Sequence, residues 1–151
     1  MSNNYWGEIT WIFLHTIAEK IKEEGYHNER SQLLELIKRV CSNLPCPECK
    51  QHAVQYMKRV NVTYIARKID LKILLFNFHN EVNRRLKKEI PDQIILERYK
   101  QVDMVETCKK FVRIFSIPVY NNRLMMDNLN RNFFMKDLLK YLENNMQKFD
   151  K

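Results

Sequence analysis

The chain has 151 residues, 45% of them hydrophobic, and a formal net charge of +8. That length suits one folded unit with a sizeable core, and only two glycines, Gly7 and Gly25, are present. No glycine-rich phosphate loop can be built from them, so a nucleotide has to be held another way. Basic residues alternate with acidic ones almost everywhere, which argues against nucleic-acid binding. The exception is Arg84-Arg85-Leu86-Lys87-Lys88, a candidate anion site.

Sparse glycine and abundant Leu, Ile, Lys, Glu and Asn point to an all-α chain. Ser2 to Asn4 are placed to cap a first helix running to about Lys22. On it Trp11 and His15, four apart, share a face, with Leu14 and Ala18 beside them. Gly25 is expected to break this helix, and Asn28 to cap a second that ends at Leu44. Leu33, Leu34, Ile37, Val40 and Leu44 give that second helix its apolar period.

Pro45 ends the pattern, because the residue before a proline is driven out of the α region. A third helix follows to near Arg59, with Ala53, Tyr56, Met57 and Val60 at helical spacing. Its opening, Pro45-Cys46-Pro47-Glu48-Cys49, puts both sulfurs at or within the first turn. Free backbone N–H groups and the positive dipole end stabilise a thiolate there. Two such sulfurs can cycle between dithiol and disulfide.

Asn61 to Asp70 reads as a connection containing Val62, Thr63 and Ile65. Asp70 then caps a fourth helix, Leu71 to about Lys88. His79, Asn83 and Leu86 form one stripe on it, with Asn80 and Arg84 alongside. A plain core stripe would be aliphatic, and polar His and Asn turned inward need partners. A heteroaromatic ring or an adenosine would supply them.

Pro91 and Asp92 start a fifth helix carrying Ile94, Ile95, Tyr99 and Val102 and reaching Cys108 or beyond. Ser116 to Asn122 reads as a break. Leu129, Phe133, Phe134, Leu138, Leu139 and Leu142 then mark a last amphipathic helix. Exposed alone, that stripe would be a liability, so it is expected to dock on its own bundle, a second subunit or a partner.

Ile9 to Ala18 is too short to span a bilayer and lacks the basic flank of a secretory signal. Four cysteines without such a signal argue for catalysis or metal binding over structural disulfides. Cys41-x4-Cys46-x2-Cys49-x2-His52 could be read as a zinc site in a helical binding module, although the spacing is unlike the usual zinc patterns. A thioredoxin-like enzyme is disfavoured, since no βαβ pattern surrounds the pair. Cys41 and Cys108 are expected to be buried free thiols.

Three motifs in order, Trp11-Ile12-Phe13-Leu14-His15, Leu44-Pro45-Cys46-Pro47-Glu48-Cys49 and His79-Asn80-Glu81-Val82-Asn83-Arg84-Arg85-Leu86, resemble the Erv/ALR sulfhydryl oxidases. The resemblance covers about Tyr5 to Tyr99. With Trp6-Gly7-x-x-x-Trp11 and His52-Ala53, it looks closest to the compact versions carried by large cytoplasmic DNA viruses. It implies a four-helix bundle with a short fifth helix, to which this chain adds a C-terminal helix. Residues 1–117 would form the FAD-binding oxidase domain and 118–151 an extension that shapes dimerisation or substrate choice.

The same resemblance implies FAD held without a dinucleotide fold. The expected contacts are Gly7, Trp11, His15, His79, Asn80, Val82, Asn83, Arg84, Leu86, Lys88 and Tyr99, with the basic cluster on the pyrophosphate. Cys49 matches the sulfur beside the isoalloxazine and Cys46 the outer sulfur that meets substrate. Substrates would be protein thiols or a thiol carrier, the electron acceptor oxygen, the product hydrogen peroxide and the assembly a homodimer. No nucleic acid or membrane is expected, and the implied location is the host cytoplasm, at the viral factory and in the virion. A chain that binds FAD without turnover is the second rival. Glu8 stands where many cellular members carry arginine, and Leu44 where an aromatic is often found. No second Cys-x-x-Cys is present to act as an internal shuttle.

Overall fold

A computed structural model describes residues 5–119 and 125–151. The described residues are all-α, with six α-helices and no strand. They are α1 (Tyr5–Lys20), α2 (Glu23–Ser42), α3 (Pro47–Lys58), α4 (Lys68–Arg85), α5 (Met104–Phe115) and α6 (Met125–Asn145). A 3₁₀ segment, Gln93–Gln101, lies between α4 and α5. Helix α1 is central and packs against α5, α4 and the 3₁₀ segment, while α2 pairs with α3. Phe13, Ile17, Leu33, Ile37, Leu71, Leu75, Phe111 and Phe115 are buried in one continuous core to which all six helices contribute.

The helix boundaries depart from local signals in several places. The proposed cap at Ser2–Asn4 lies outside the described residues. Gly25 does not break α1; it sits in the first turn of α2, in an ordinary backbone conformation. The break comes earlier, at Ile21 and Lys22, and its cause is distant in sequence. Ile21 pairs antiparallel with Phe149, and the Lys22 N–H donates to the Lys148 carbonyl at 2.9 Å. Asn28 is therefore internal to α2 and caps nothing.

Helix α4 begins at Lys68, before Asp70. The Asp70 carboxylate, at the third helical position, accepts the Arg67 N–H at 2.9 Å, the half of a capping box that reaches backwards. The helix ends at Arg85, short of Lys88. The expected fifth helix is two elements. Asp92 opens the 3₁₀ segment by accepting the Ile94 N–H, and Asp103 opens α5 by accepting the Glu106 N–H at 2.9 Å. A second good N-cap residue divides what periodicity alone joins.

The last helix docks on its own chain. Phe134, Met135, Leu138 and Leu142 are buried in the common core. The Arg39 guanidinium lies 4.7 Å over the Phe134 ring, Arg39 pairs with Asp137 at 2.9 Å, and Tyr141 donates to Glu29 at 2.7 Å. Leu129, Phe133 and Leu139, expected on the same stripe, face outward at 46%, 52% and 43% exposure. The apolar residues of α6 occupy more than one face, and only one face is used for docking.

Leu138 is 1% exposed at the centre of that contact. Leu138→Ala is expected to lower unfolding free energy by about 2–4 kcal/mol in urea denaturation. A loss under about 0.5 kcal/mol would mean that α6 is not part of the cooperative unit.

Candidate active site

The site begins with two pairs of side chains four residues apart. Helix α1 presents Trp11 and His15, and α4 presents His79 and Asn83. The Trp11 and His79 rings stack with centroids 4.0 Å apart and planes within 6°. His15 Nε2 and His79 Nδ1 are 3.0 Å apart and share one hydrogen bond. Tyr99, from the 3₁₀ segment, stacks on His15 at 4.8 Å. Behind them, Phe78 meets Trp11 edge-on at 5.1 Å and stacks on Tyr56 at 4.6 Å. Asn83 donates to Asn80 at 3.3 Å, with both residues buried.

These rings stand beside a cavity of about 530 Å³ whose wall also includes Cys49, a volume within the roughly 300–1,000 Å³ of ligand sites. Helix α2 contributes Val40 and Cys41 to the wall, the segment after it Leu44, and α3 contributes Ala53. Of the residues expected around a cofactor, Gly7, Trp11, His79, Val82, Asn83, Leu86, Lys88 and Tyr99 line this cavity. His15 and Asn80 stand in the second layer, bonded to His79 and Asn83.

Arg84 is not brought to the cavity. It points outward and pairs with Glu81 at 3.2 Å. The cations on the wall are Arg85, Lys88 and Arg98. Arg85 could have been read from sequence, because it lies seven residues after Phe78 and so shares its face. Arg98 had no such signal, since a 3₁₀ segment keeps no α period.

Lys88 reaches the wall through a strained turn. Lys87 has φ of 58°, and it is the sole non-glycine residue with positive φ among the described residues. The Lys88 N–H donates back to the Asn83 carbonyl at 2.8 Å and the Lys87 N–H to Arg84 at 3.1 Å. This is a Schellman ending with lysine where glycine is usual, at a cost of about 1 kcal/mol or more.

The redox motif opens α3. Cys46 is the N-cap, its sulfur accepts the Cys49 N–H at 3.2 Å, and Pro47 holds the first helical position. Cys49 lines the cavity and Cys46 does not. Both are free thiols here. The Cys49 thiol is pushed up to about 11 by burial and then by Cys46, and the Arg85 guanidinium opposes both. At Cys49, burial and Cys46 therefore outweigh the helix start, and Arg85 works against them. Cys41 and Cys108 are buried free thiols, each raised to about 12 chiefly by burial.

Zinc is not favoured. Among the described residues no three of His, Cys, Asp and Glu converge as a metal would need, and Cys41, Cys46, Cys49 and His52 form no such group. Nor is any described helix long and apolar enough to cross a membrane.

The two histidines are neutral. Burial, then His79 and Arg98, push His15 down to about 3; burial, then Lys88 and Arg98, push His79 down to about 4. Each depressed value means stability that is complete above pH 6.5 and is lost as pH falls toward 4 and 3. For His15 the loss by pH 4 is roughly 3 kcal/mol. His15→Gln is expected to flatten the stability curve between pH 6.5 and 4; parallel curves for the two proteins would contradict this. In a Cys46→Ser background, Arg85→Met is expected to move the pH profile of Cys49 alkylation upward by about one unit. An unmoved profile would remove Arg85 from this role.

A family model described as the Erv1 / Alr family matches residues 8–114. Relatives named as FAD-linked sulfhydryl oxidases come from several sources. One from Invertebrate iridescent virus 3 is 31% identical over 97 residues, covering 63% of this chain and 66% of that protein. One from African swine fever virus is 31% identical over 98 residues, covering 65% of this chain and 79% of that protein. One from Oryza sativa is 33% identical over 101 residues, covering 66% and 52%. The chain thus matches about half to four fifths of these proteins' lengths. No solved structure matches. The matched span runs from α1 through α5 and contains the aromatic stack, the cysteine pair and the wall cations, and on it the chain belongs to the Erv1/Alr family.

Proposed function

We propose that the chain is an FAD-linked thiol oxidase that forms disulfides in protein substrates. The observation that carries this is the placement of the cysteine pair. Cys49 faces a cavity with a flat aromatic wall, and Cys46, three residues earlier, stands outside that wall. A disulfide between them would join the protein's exterior to the cavity.

The residues present suit FAD. Trp11, His79 and Tyr99 offer flat neutral surfaces for a ring system, Asn83 offers amide donors, and Lys88 and Arg98 offer charge for a pyrophosphate. Bound FAD would accept two electrons and return them to oxygen as hydrogen peroxide.

The chain's own steps concern sulfur and protons. A substrate thiolate attacks Cys46 Sγ of the disulfide; the Cys46–Cys49 bond breaks and Cys49 leaves as a thiolate. Arg85 lies where it stabilises that charge, and burial disfavours it otherwise. A second substrate thiolate attacks the substrate sulfur of the mixed disulfide. A substrate disulfide forms, and Cys46 is released and takes up a proton. The dithiol then gives up two electrons and two protons and the pair is again a disulfide.

Residues 1–117 carry this chemistry in our reading, and 118–151 add a C-terminal element. A homodimer is part of the same reading, as are protein thiols meeting the enzyme in a host cytoplasm. The viral relatives support that setting.

The pair's two roles give the test. Purified protein is expected to be yellow. Cys46→Ser leaves Cys49 alone on the cavity wall, and a long-wavelength charge-transfer absorbance is expected at high pH. Cys49→Ser is expected to lack it, and both should lose at least about 100-fold in dithiothreitol oxidation. The absorbance appearing in the Cys49 variant would reverse the two roles, and a colourless folded protein would defeat the proposal.

A further inference from the structure

The 3₁₀ segment Gln93–Gln101 runs for nine residues, although that geometry seldom lasts beyond about three or four. Its internal hydrogen bonds are poor, so contacts from outside have to fix its place. Helix α1 supplies two of them. Tyr99 stacks on His15 at 4.8 Å, and further along α1 the Lys20 ammonium donates to the Lys100 carbonyl at 2.9 Å. A helix end leaves carbonyls without partners, and a lysine side chain can serve them. Here the lysine comes from a different element, and its bond falls one residue after Tyr99. One residue before Tyr99, the Arg98 guanidinium lies 5.5 Å over the tyrosine ring.

Lys20 is itself held in place. It is 5% exposed, and a buried ammonium is tolerated only where acceptors meet it. Its second acceptor is the Lys151 carbonyl, at 2.5 Å. A short antiparallel pairing brings that carbonyl there. The Asp150 N–H donates to the Lys20 carbonyl at 2.6 Å, the Lys22 N–H donates to Lys148 at 2.9 Å, and Ile21 stands opposite Phe149. Phe149 is buried in the common core, and Lys148 pairs with Glu29 of α2 at 2.9 Å. One side chain thus ties the strap after α6 to the segment that carries Tyr99.

We propose that Lys20, clasped by residues 148–151, is a positioning residue for FAD. It holds the last turn of the 3₁₀ segment so that Tyr99 and Arg98 stand on the cavity wall. This rests on the FAD-linked reading and extends it to residues that do not touch the cofactor. Tyr99 and Arg98 both line the cavity, one as a flat surface and the other as a charge for the pyrophosphate. Lys20 is not among the lining residues, so its effect passes through the segment it caps. A stack on His15 alone would leave that segment free to pivot about the ring, and the bond from Lys20 stops the pivot. A wall ordered before the ligand arrives raises affinity, because the binding step then carries no ordering cost. The strap fixes Lys20 in turn, and so the residues after α6 contribute to cofactor retention at a distance.

The test is the affinity of the full chain, freed of FAD, for added FAD, read by flavin fluorescence. Lys20→Met keeps the buried stem and removes the donor, and it is expected to weaken binding about tenfold. Removing residues 149–151 withdraws the Lys151 carbonyl but leaves Lys20 its bond to Lys100, and a loss of about threefold is expected. The deciding comparison repeats both changes in a chain already carrying Tyr99→Leu and Arg98→Met. There each change should cost less than about a further twofold, because the groups it acts through are gone. Lys22→Met removes a nearby cation, keeps the backbone bond to Lys148, and should bind FAD as the wild-type chain does. Wild-type affinity in Lys20→Met or in the shortened chain would overturn the proposal. So would losses that add in full to those of the Tyr99 and Arg98 changes, the mark of a merely structural lysine. An equal loss in Lys22→Met would overturn it too, by assigning the effect to charge alone. If Lys20→Met does not fold, the shortened chain decides by the same comparisons. A wild-type chain that takes up no FAD would defeat the cofactor reading itself, and this inference with it.

Discussion

The structure depends on α1 meeting α4 through aromatic rings instead of aliphatic side chains. Trp11 lies flat on His79, and His79 is held by His15 from the turn above Trp11. Two imidazoles bonded at this distance in a buried setting cannot both be charged, because each would lose hydration and repel the other. Their neutrality therefore accompanies the fold and is not a separate adjustment. The stack fixes the rotation of α4 about its axis, and that rotation decides which of its polar residues enter the cavity. Asn83, Arg85 and the turn leading to Lys88 follow from it; Arg84, on the other side of the axis, is sent to solvent.

The cysteine pair is set by a different constraint. Two prolines in three residues stop α2 and restart the chain as α3. A helix start has unsatisfied N–H groups, and here a cysteine sulfur satisfies one of them. The turn that results gives the two sulfurs different surroundings: one on the cavity wall among apolar groups, the other outside. An asymmetric pair has a direction, and thiol exchange needs one, since one sulfur must be attacked and the other must leave.

Much of this was legible in the sequence because the informative residues repeat at helical intervals. Trp11 and His15, His79 and Asn83, and the prolines around the cysteines all announce their faces or boundaries locally. What escaped a local reading was set at long range. The end of α1 is imposed by a backbone pairing with residues nearly 130 positions away. The division near Asp103 competes with an apolar period that runs straight through it. The choice of Arg85 over Arg84 depends on the rotation of α4, which the aromatic stack sets. Helix α6 misled for another reason: apolar residues on two faces give a period without telling which face is covered, and three of the six expected to be buried are not.

The left-handed lysine that closes α4 has a consequence for how charge reaches the cavity. A residue with a Cβ has few backbone wells, and one of those open to Lys87 besides its own is the helical one. The helix would then run on, and Lys88 would be carried about 100° round the axis, away from the wall. Glycine in that place would permit a continuum of arrangements between these two. With lysine the endings open to α4 are few and discrete, and the left-handed one is the ending that sets Lys88 on the cavity wall. Part of the positive charge on the cavity wall is thus placed by a backbone turn that lies outside the cavity, one residue from the charge.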